Sequence, residues 1–236
     1  MKKHIPNTIT MMNLFSGCIA IVMAFHGNFF GVVFWVLMAA VFDFFDGLAA
    51  RLLGVSSKMG VELDSLADVV SFGVAPATAV FMFLFQFTYY PAFLLPLKPY
   101  IPYLAFLIPV FSALRLAKFN IDERQTSSFL GLPTPANALF WISYVYGAHI
   151  VAGVNGYYLY LTIAFIVGLS LLMVSEVPMF SLKFKKLQWR GHEKQIILVI
   201  LMIIFTVVWG IKGIAWGILA YIVVSVVSNQ IRKTVK

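Results

Sequence analysis

The sequence predicts an all-α polytopic bundle of about eight membrane-spanning helices with both termini in the cytoplasm, and three observations carry that prediction. The chain has 236 residues, of which 61% are hydrophobic and only 11% charged, and a mean hydropathy of +0.94. A soluble domain is usually about a quarter charged, so no water-soluble core accounts for this excess. Apolar runs near the roughly 17 to 25 residues a bilayer requires fall at about 9–25, 29–50, 62–87, 99–119, 135–153, 157–176, 194–210 and 213–230. With these eight spans, all of the 17 lysines and arginines except Lys98 and Lys212 fall on one side. Cations are retained on the cytoplasmic side, which makes the span count even and places both termini there.

The first run follows Lys2 and Lys3 and invites comparison with a signal peptide, with Ser16-Gly17-Cys18 as a lipoprotein cleavage site. Asn13 interrupts the apolar stretch before Cys18 and hydrophobicity continues to Phe25, so the run reads as an uncleaved span. The second and third runs carry the acidic residues discussed below. Between the third and fourth lies a stretch rich in aromatics and proline (Tyr90, Pro91, Pro96, Pro99, Pro102), which leaves their ends loosely defined. The fourth ends in Arg115 and Lys118. The fifth is entered through Gly131–Ala136, where Pro133 and Pro135 fix an extended approach to the helix. After the sixth, residues 183–190 interleave cations with Phe184, Leu187 and Trp189, as a strip lying in the membrane interface or an ordinary positive-inside loop would. The last two runs, 194–230, form a C-terminal extension of a single domain over 1–236 without internal repeats.

Composition excludes several classes. The net charge of +8 is spread along one membrane face with no soluble domain to present a groove, so the counter-charge is lipid head groups and not nucleic acid. One cysteine excludes an internal disulfide and most cysteine-based metal sites. His4, His26, His149 and His192 show no pairing and receive no role.

The nine acidic residues are distributed unevenly, because Asp43, Asp46, Glu62, Asp64 and Asp68 occupy one short stretch. Ionisable groups inside a span cost about 2.5 to 3.5 kcal/mol on insertion scales and are functional by default. Asp43 and Asp46 are three apart near the end of the second span, and Gly60, Asp64 and Asp68 are four apart at the start of the third, so each set shares a helix face. Glu62 lies about 200° around the helix from Asp64 and should face away. The connection 52–59 is short enough to make the two helices antiparallel neighbours, so all four aspartates are expected to face one point. Converging carboxylates repel unless protonated or neutralised by a cation. An all-oxygen set favours Mg²⁺, Mn²⁺ or Ca²⁺. Gly47, Ala50 and Gly60 leave the helix faces bare beside them, either for a bulky ligand or for tight helix packing. Spacing alone leaves two chemistries open: metal ions holding a diphosphate with one carboxylate acting on a nucleophile, or a proton or cation pathway in a transporter.

The string Asp43, Asp46, Gly47, Ala50 and Arg51, followed after eight residues by Gly60, Asp64 and Asp68, resembles the signature of the CDP-alcohol phosphotransferases at every fixed position. The segments Pro6–Gly17, Ser71–Pro76, Arg115–Asn120 and Gly131–Ala136 are similar to the branch that uses serine as acceptor. The resemblance implies a membrane enzyme that transfers the phosphatidyl group of CDP-diacylglycerol to L-serine and releases CMP; glycerol 3-phosphate or inositol is the alternative acceptor. It implies two ions, Mg²⁺ or Mn²⁺ with Ca²⁺ as a further possibility, held by Asp43, Asp46, Asp64 and Asp68, and it makes Asp68 the general base. Gly47, Ala50 and Gly60 would admit the nucleotide, with Arg51 near a phosphate unless it snorkels to the interface. Arg115 and Lys118 would meet the lipid phosphate and the serine carboxylate, Lys118 having positive-inside anchoring as its other role. Asn13, Asn120 and Thr134 would bind serine, or merely cap helices. The implied setting is a homodimer among membrane lipids of the cell inner membrane, with the site facing the cytoplasm.

Overall fold

A computed structural model describes residues 4–55, 57–88, 90–121, 129–151, 156–179 and 193–234. The strip at 183–190 therefore lies outside the described residues. Helices form at all eight apolar stretches. Helix α1 (His4–Phe25) and α2 (Phe29–Leu52) make an antiparallel hairpin closed by a turn at Gly27, with the Asn28 side chain accepting from the Gly31 N–H to cap α2. Small and β-branched residues line their contact: Ala20, Ala24, Val32, Val36 and Ala39 are all buried.

Helix α3 (Lys58–Asp68) passes through a π-helical turn (Val69–Val74) directly into α4 (Ala75–Phe85). Its first turn is capped by the Ser57 hydroxyl, which accepts from the Gly60 N–H at 3.0 Å. That cap starts the helix four residues before the expected span, because hydropathy does not register a polar first turn. Two 3₁₀ segments, Ala92–Leu97 and Ile101–Phe106, precede α5 (Leu107–Ile121). The proline-rich approach thus favours the tighter helix before the α-helix takes over.

After α5 come β1 (Phe129–Leu130), α6 (Thr134–Ala148), α7 (Tyr157–Val174), β2 (Pro178–Met179), α8 (Glu193–Trp209) and α9 (Ile211–Thr234). The two short strands pair antiparallel, Phe129 opposite Met179. Beside them Gly131 adopts φ +73° where any Cβ would strike the Met173 carbonyl, so only glycine fits. Pro133 is extended, as expected, whereas Pro135 sits inside the first turn of α6 and not before it. Helix α9 returns along α6 and reaches β2.

Among the described residues, five helical stretches are long and apolar enough to cross a membrane: His4–Phe25, Phe29–Leu52, Lys58–Phe85, Ile101–Ile121 and Tyr157–Val174. Leu198–Trp209 and Ile211–Val227 are shorter apolar helices. The 15 residues of α6 span about 22 Å at 1.5 Å per residue, less than the roughly 30 Å hydrocarbon core. The chain is an all-α membrane bundle.

Candidate active site

The second half of α2 and the second half of α3 both pack on α1, and their carboxylates converge over its first half. Carboxylate oxygens of Asp43, Asp64 and Asp68 all lie within 4.8 Å of one another. Asp46 is not in this triad. Three residues along a helix is a rotation of about 60° from Asp43, and this turns Asp46 toward α1, where the Thr10 hydroxyl donates to Asp46 Oδ2 at 2.6 Å. Convergence of all four aspartates on one point therefore resolves into three together and a buried fourth beside them. Glu62 is exposed and outside the group, as its position on the helix requires.

Asp68 is 7% exposed, and Asn13 Nδ2 donates to its Oδ1 at 3.3 Å. The Asn13 carbonyl accepts from the Ser71 hydroxyl at 3.0 Å, so the π-helical turn and α1 are locked together next to Asp68. A wide turn of this kind is frequent at functional sites. Close approach is possible because residue 17 is glycine: a Cβ there would run into Ser71 Oγ.

The donor set fits a divalent cation. All ligand atoms are carboxylate oxygens, three groups stand within bridging distance, and the buried Asp64 Oδ1 has no hydrogen-bond partner among the described residues. Such hard oxygen donors suit Mg²⁺, Mn²⁺ or Ca²⁺.

Next to the carboxylates a cavity of about 420 Å³ opens between α1, α2 and α3, within the range of small-molecule sites. Gly47, Ala50, Arg51 and Gly60 line it together with Asp46 and Asp64, as their spacing on the helices predicts. Nothing lies within 4 Å of where a Gly47 Cβ would be, so that backbone faces open space.

Arg115, from α5, is 7% exposed; its Nη1 donates to Thr134 Oγ1 at 3.0 Å and its Nε has no partner among the described residues. It lies within electrostatic reach of Asp68, and of Tyr221 on α9. Thr134 is the first residue of α6 and not its cap, which is Pro133. Lys118 shares a narrow recess with Arg115 beside Met173 and Val174, but its ammonium is turned to the end of α7, donating to the Val174 carbonyl at 3.4 Å and standing 4.0 Å from Glu176. Asn120 donates to Ser65 Oγ at 2.9 Å on an exposed surface. Thr10, Tyr221 and Asn7, which also lines the cavity, stand at the site although composition and carboxylate spacing do not mark them. Thr10 carries a signal in hindsight, since it precedes Asn13 by three residues and shares its helix face.

The model of the CDP-alcohol phosphatidyltransferase family matches residues 3–174. Over 210 residues the chain is 31% identical to the CDP-diacylglycerol–serine O-phosphatidyltransferase of Helicobacter pylori, covering 85% of this chain and 81% of that one. It is 35% identical over 177 residues to the protein of the same name from Bacillus subtilis, covering 74% and 88%. Archaetidylserine synthase of Methanothermobacter thermautotrophicus is 32% identical over 176 residues, covering 73% and 68%.

Proposed function

This chain belongs to the CDP-alcohol phosphatidyltransferase family, and from that premise we propose that it transfers the phosphatidyl group of CDP-diacylglycerol to L-serine, giving phosphatidylserine and CMP. The observation that carries the proposal is the juxtaposition of the Asp43, Asp64 and Asp68 carboxylates with the glycine-lined cavity. Serine as acceptor is supported by the names of the relatives from Helicobacter and Bacillus.

In this reading Asp43, Asp46, Asp64 and Asp68 hold two divalent ions, Mg²⁺ or Mn²⁺. When bound, these ions neutralise the diphosphate and stabilise the charge that develops on the leaving phosphate. The chain's own residues do the rest. Gly47, Ala50 and Gly60 let the nucleotide approach the helix backbones, and Arg51 at the cavity rim faces a phosphate. Thr10 fixes the rotamer of Asp46, and Asn13 fixes that of Asp68. Asp68 takes the proton of the serine hydroxyl, a contribution of about 10²- to 10⁴-fold for general bases. The serine oxygen then forms its bond to the phosphorus that carries diacylglycerol, and the bond from that phosphorus to the bridging oxygen breaks, leaving with CMP. Arg115, held by Thr134, is placed for the serine carboxylate or the lipid phosphate. Lys118 and Asn120, engaged by Glu176 and Ser65, act at the margin of the site.

In this reading all eight stretches cross the membrane, the 15-residue α6 together with its extended entry at Pro133. Both termini and the aspartates face the cytoplasm of the cell inner membrane, and the working unit is a homodimer. The test is product formation by the detergent-purified chain with CDP-diacylglycerol, Mn²⁺ and each of L-serine, glycerol 3-phosphate and inositol. Phosphatidylserine formed from serine alone, and lost in Asp68→Asn, is expected. A product from another acceptor only would move the protein to a different branch, and no product in a folded preparation would overturn the reading.

A further inference from the structure

A second cavity, about 630 Å³, lies between α6, α7 and α9. It is at the opposite end of the bundle from the aspartates. Phe29, which opens α2, packs against His149 at the end of α6 in a tilted arrangement with ring centroids 4.9 Å apart, and Asp43 is about 21 Å further along α2 at 1.5 Å per residue. The walls are apolar and aromatic, with Phe140, Tyr144, Phe165, Trp216 and Leu219 among them, and the Tyr144 hydroxyl is already paired with Thr162 Oγ1 at 2.8 Å. Among the described residues, one charged side chain lines the cavity, Lys212. Its stem lies against Gly147, where a Cβ would come within 3.1 Å of Lys212 Cγ.

Among the described residues, no acidic residue is available to that ammonium. The described stretches forming this end of the bundle, 26–34, 86–88, 90–106, 142–151, 156–163 and 205–217, contain no aspartate or glutamate. Lys98, the other cation at this end, stands over the Tyr90 ring at 5.3 Å. Lys212 has no ion pair or ring contact among the described residues. An apolar cavity between membrane helices, with an exposed cation on its lining that has no acidic neighbour among the described residues, calls for a ligand that is apolar in body and anionic in head. Basic pockets between membrane helices bind anionic lipid head groups for this reason. Tyr157 and Trp216, exposed beside the cavity, place its mouth at the level where aromatic side chains meet head groups.

We propose that this cavity binds an anionic phospholipid of the leaflet opposite the aspartates, its phosphate on Lys212 and an acyl chain between α6, α7 and α9. The proposal is independent of the transfer reaction. To test it, the full chain is purified in mild detergent, stripped of lipid, and titrated with phosphatidylglycerol, phosphatidylcholine or inorganic phosphate, and bound lipid is counted by native mass spectrometry. Wild type is expected to bind phosphatidylglycerol about tenfold more tightly than Lys212→Gln, the scale of a lost charged hydrogen bond. Lys212→Arg should retain binding, and Lys98→Gln, the same charge loss at the same end, should match wild type. Ala215→Phe, which fills the cavity and keeps the cation, should lose the lipid. Equal binding by Lys212→Gln and wild type, an equal loss in Lys98→Gln, or displacement of the lipid by inorganic phosphate would each overturn the proposal.

Discussion

Replacing Gly47 by alanine should move stability and ligand binding in opposite directions. The residue lies within α2, and a Cβ built on it meets no atom within 4 Å. Alanine is favoured over glycine inside a helix by about 0.5–1 kcal/mol, and no contact in the folded chain opposes the added methyl. For a chain of this size 1 kcal/mol shifts Tm by about 2–4 °C, so Gly47→Ala should melt about 1–4 °C higher. The same methyl points into the cavity of about 420 Å³ that would receive the nucleotide. Overpacking of a close contact costs about 1–3 kcal/mol, equivalent to about 5- to 150-fold in affinity. Thermal melting in detergent, set beside inhibition of the transfer reaction by CMP, measures both quantities on one preparation. Unchanged CMP affinity would refute the placement of the nucleotide. A fall in both Tm and affinity would show that Gly47 is a packing residue.

Thr10→Ala removes the 2.6 Å hydrogen bond to buried Asp46, a charge-assisted contact worth about 1.5–3 kcal/mol; kcat/KM should fall about 10- to 100-fold, and Thr10→Ser should recover most of it. In Gly17→Ala the new methyl meets Ser71, so Tm should fall, by an amount that overpacking puts at about 1–3 kcal/mol of stability, as a denaturation series would record. A chelator should abolish CMP release, and added Mn²⁺ or Mg²⁺ should restore it where a thiol- and imidazole-seeking metal at the same concentration does not.

The helices were legible because hydropathy marks apolar stretches strongly: a helix forms at each of the eight runs, and five of them among the described residues are long and apolar enough to span. Their ends were not. Helix α3 begins at Lys58 because Ser57 caps it, and α6 stops at Ala148, features set by single polar atoms and turns. The cavity residues Gly47, Ala50, Arg51 and Gly60 were legible because helical spacing alone puts them on one face. The π-helical turn at Val69–Val74 was not, since it depends on the Ser71 hydroxyl reaching the Asn13 carbonyl on another helix. Asp46 leaving the triad for Thr10 depends likewise on how far α1 reaches across the α2–α3 hairpin. Lys118 illustrates the same limit from the other side: its sequence context fits an anion site, and the end of α7 supplies a carbonyl and Glu176 instead.

Counting Mn²⁺ bound to the purified chain by electron paramagnetic resonance, in wild type and in Asp64→Asn, tests the central claim most directly. Two ions per wild-type chain in the presence of CDP-diacylglycerol, fewer in Asp64→Asn, and CMP release lost in step with the missing metal are the predicted result. Undiminished Mn²⁺ binding by Asp64→Asn, or none by wild type, would contradict the assignment of the aspartates as a metal site.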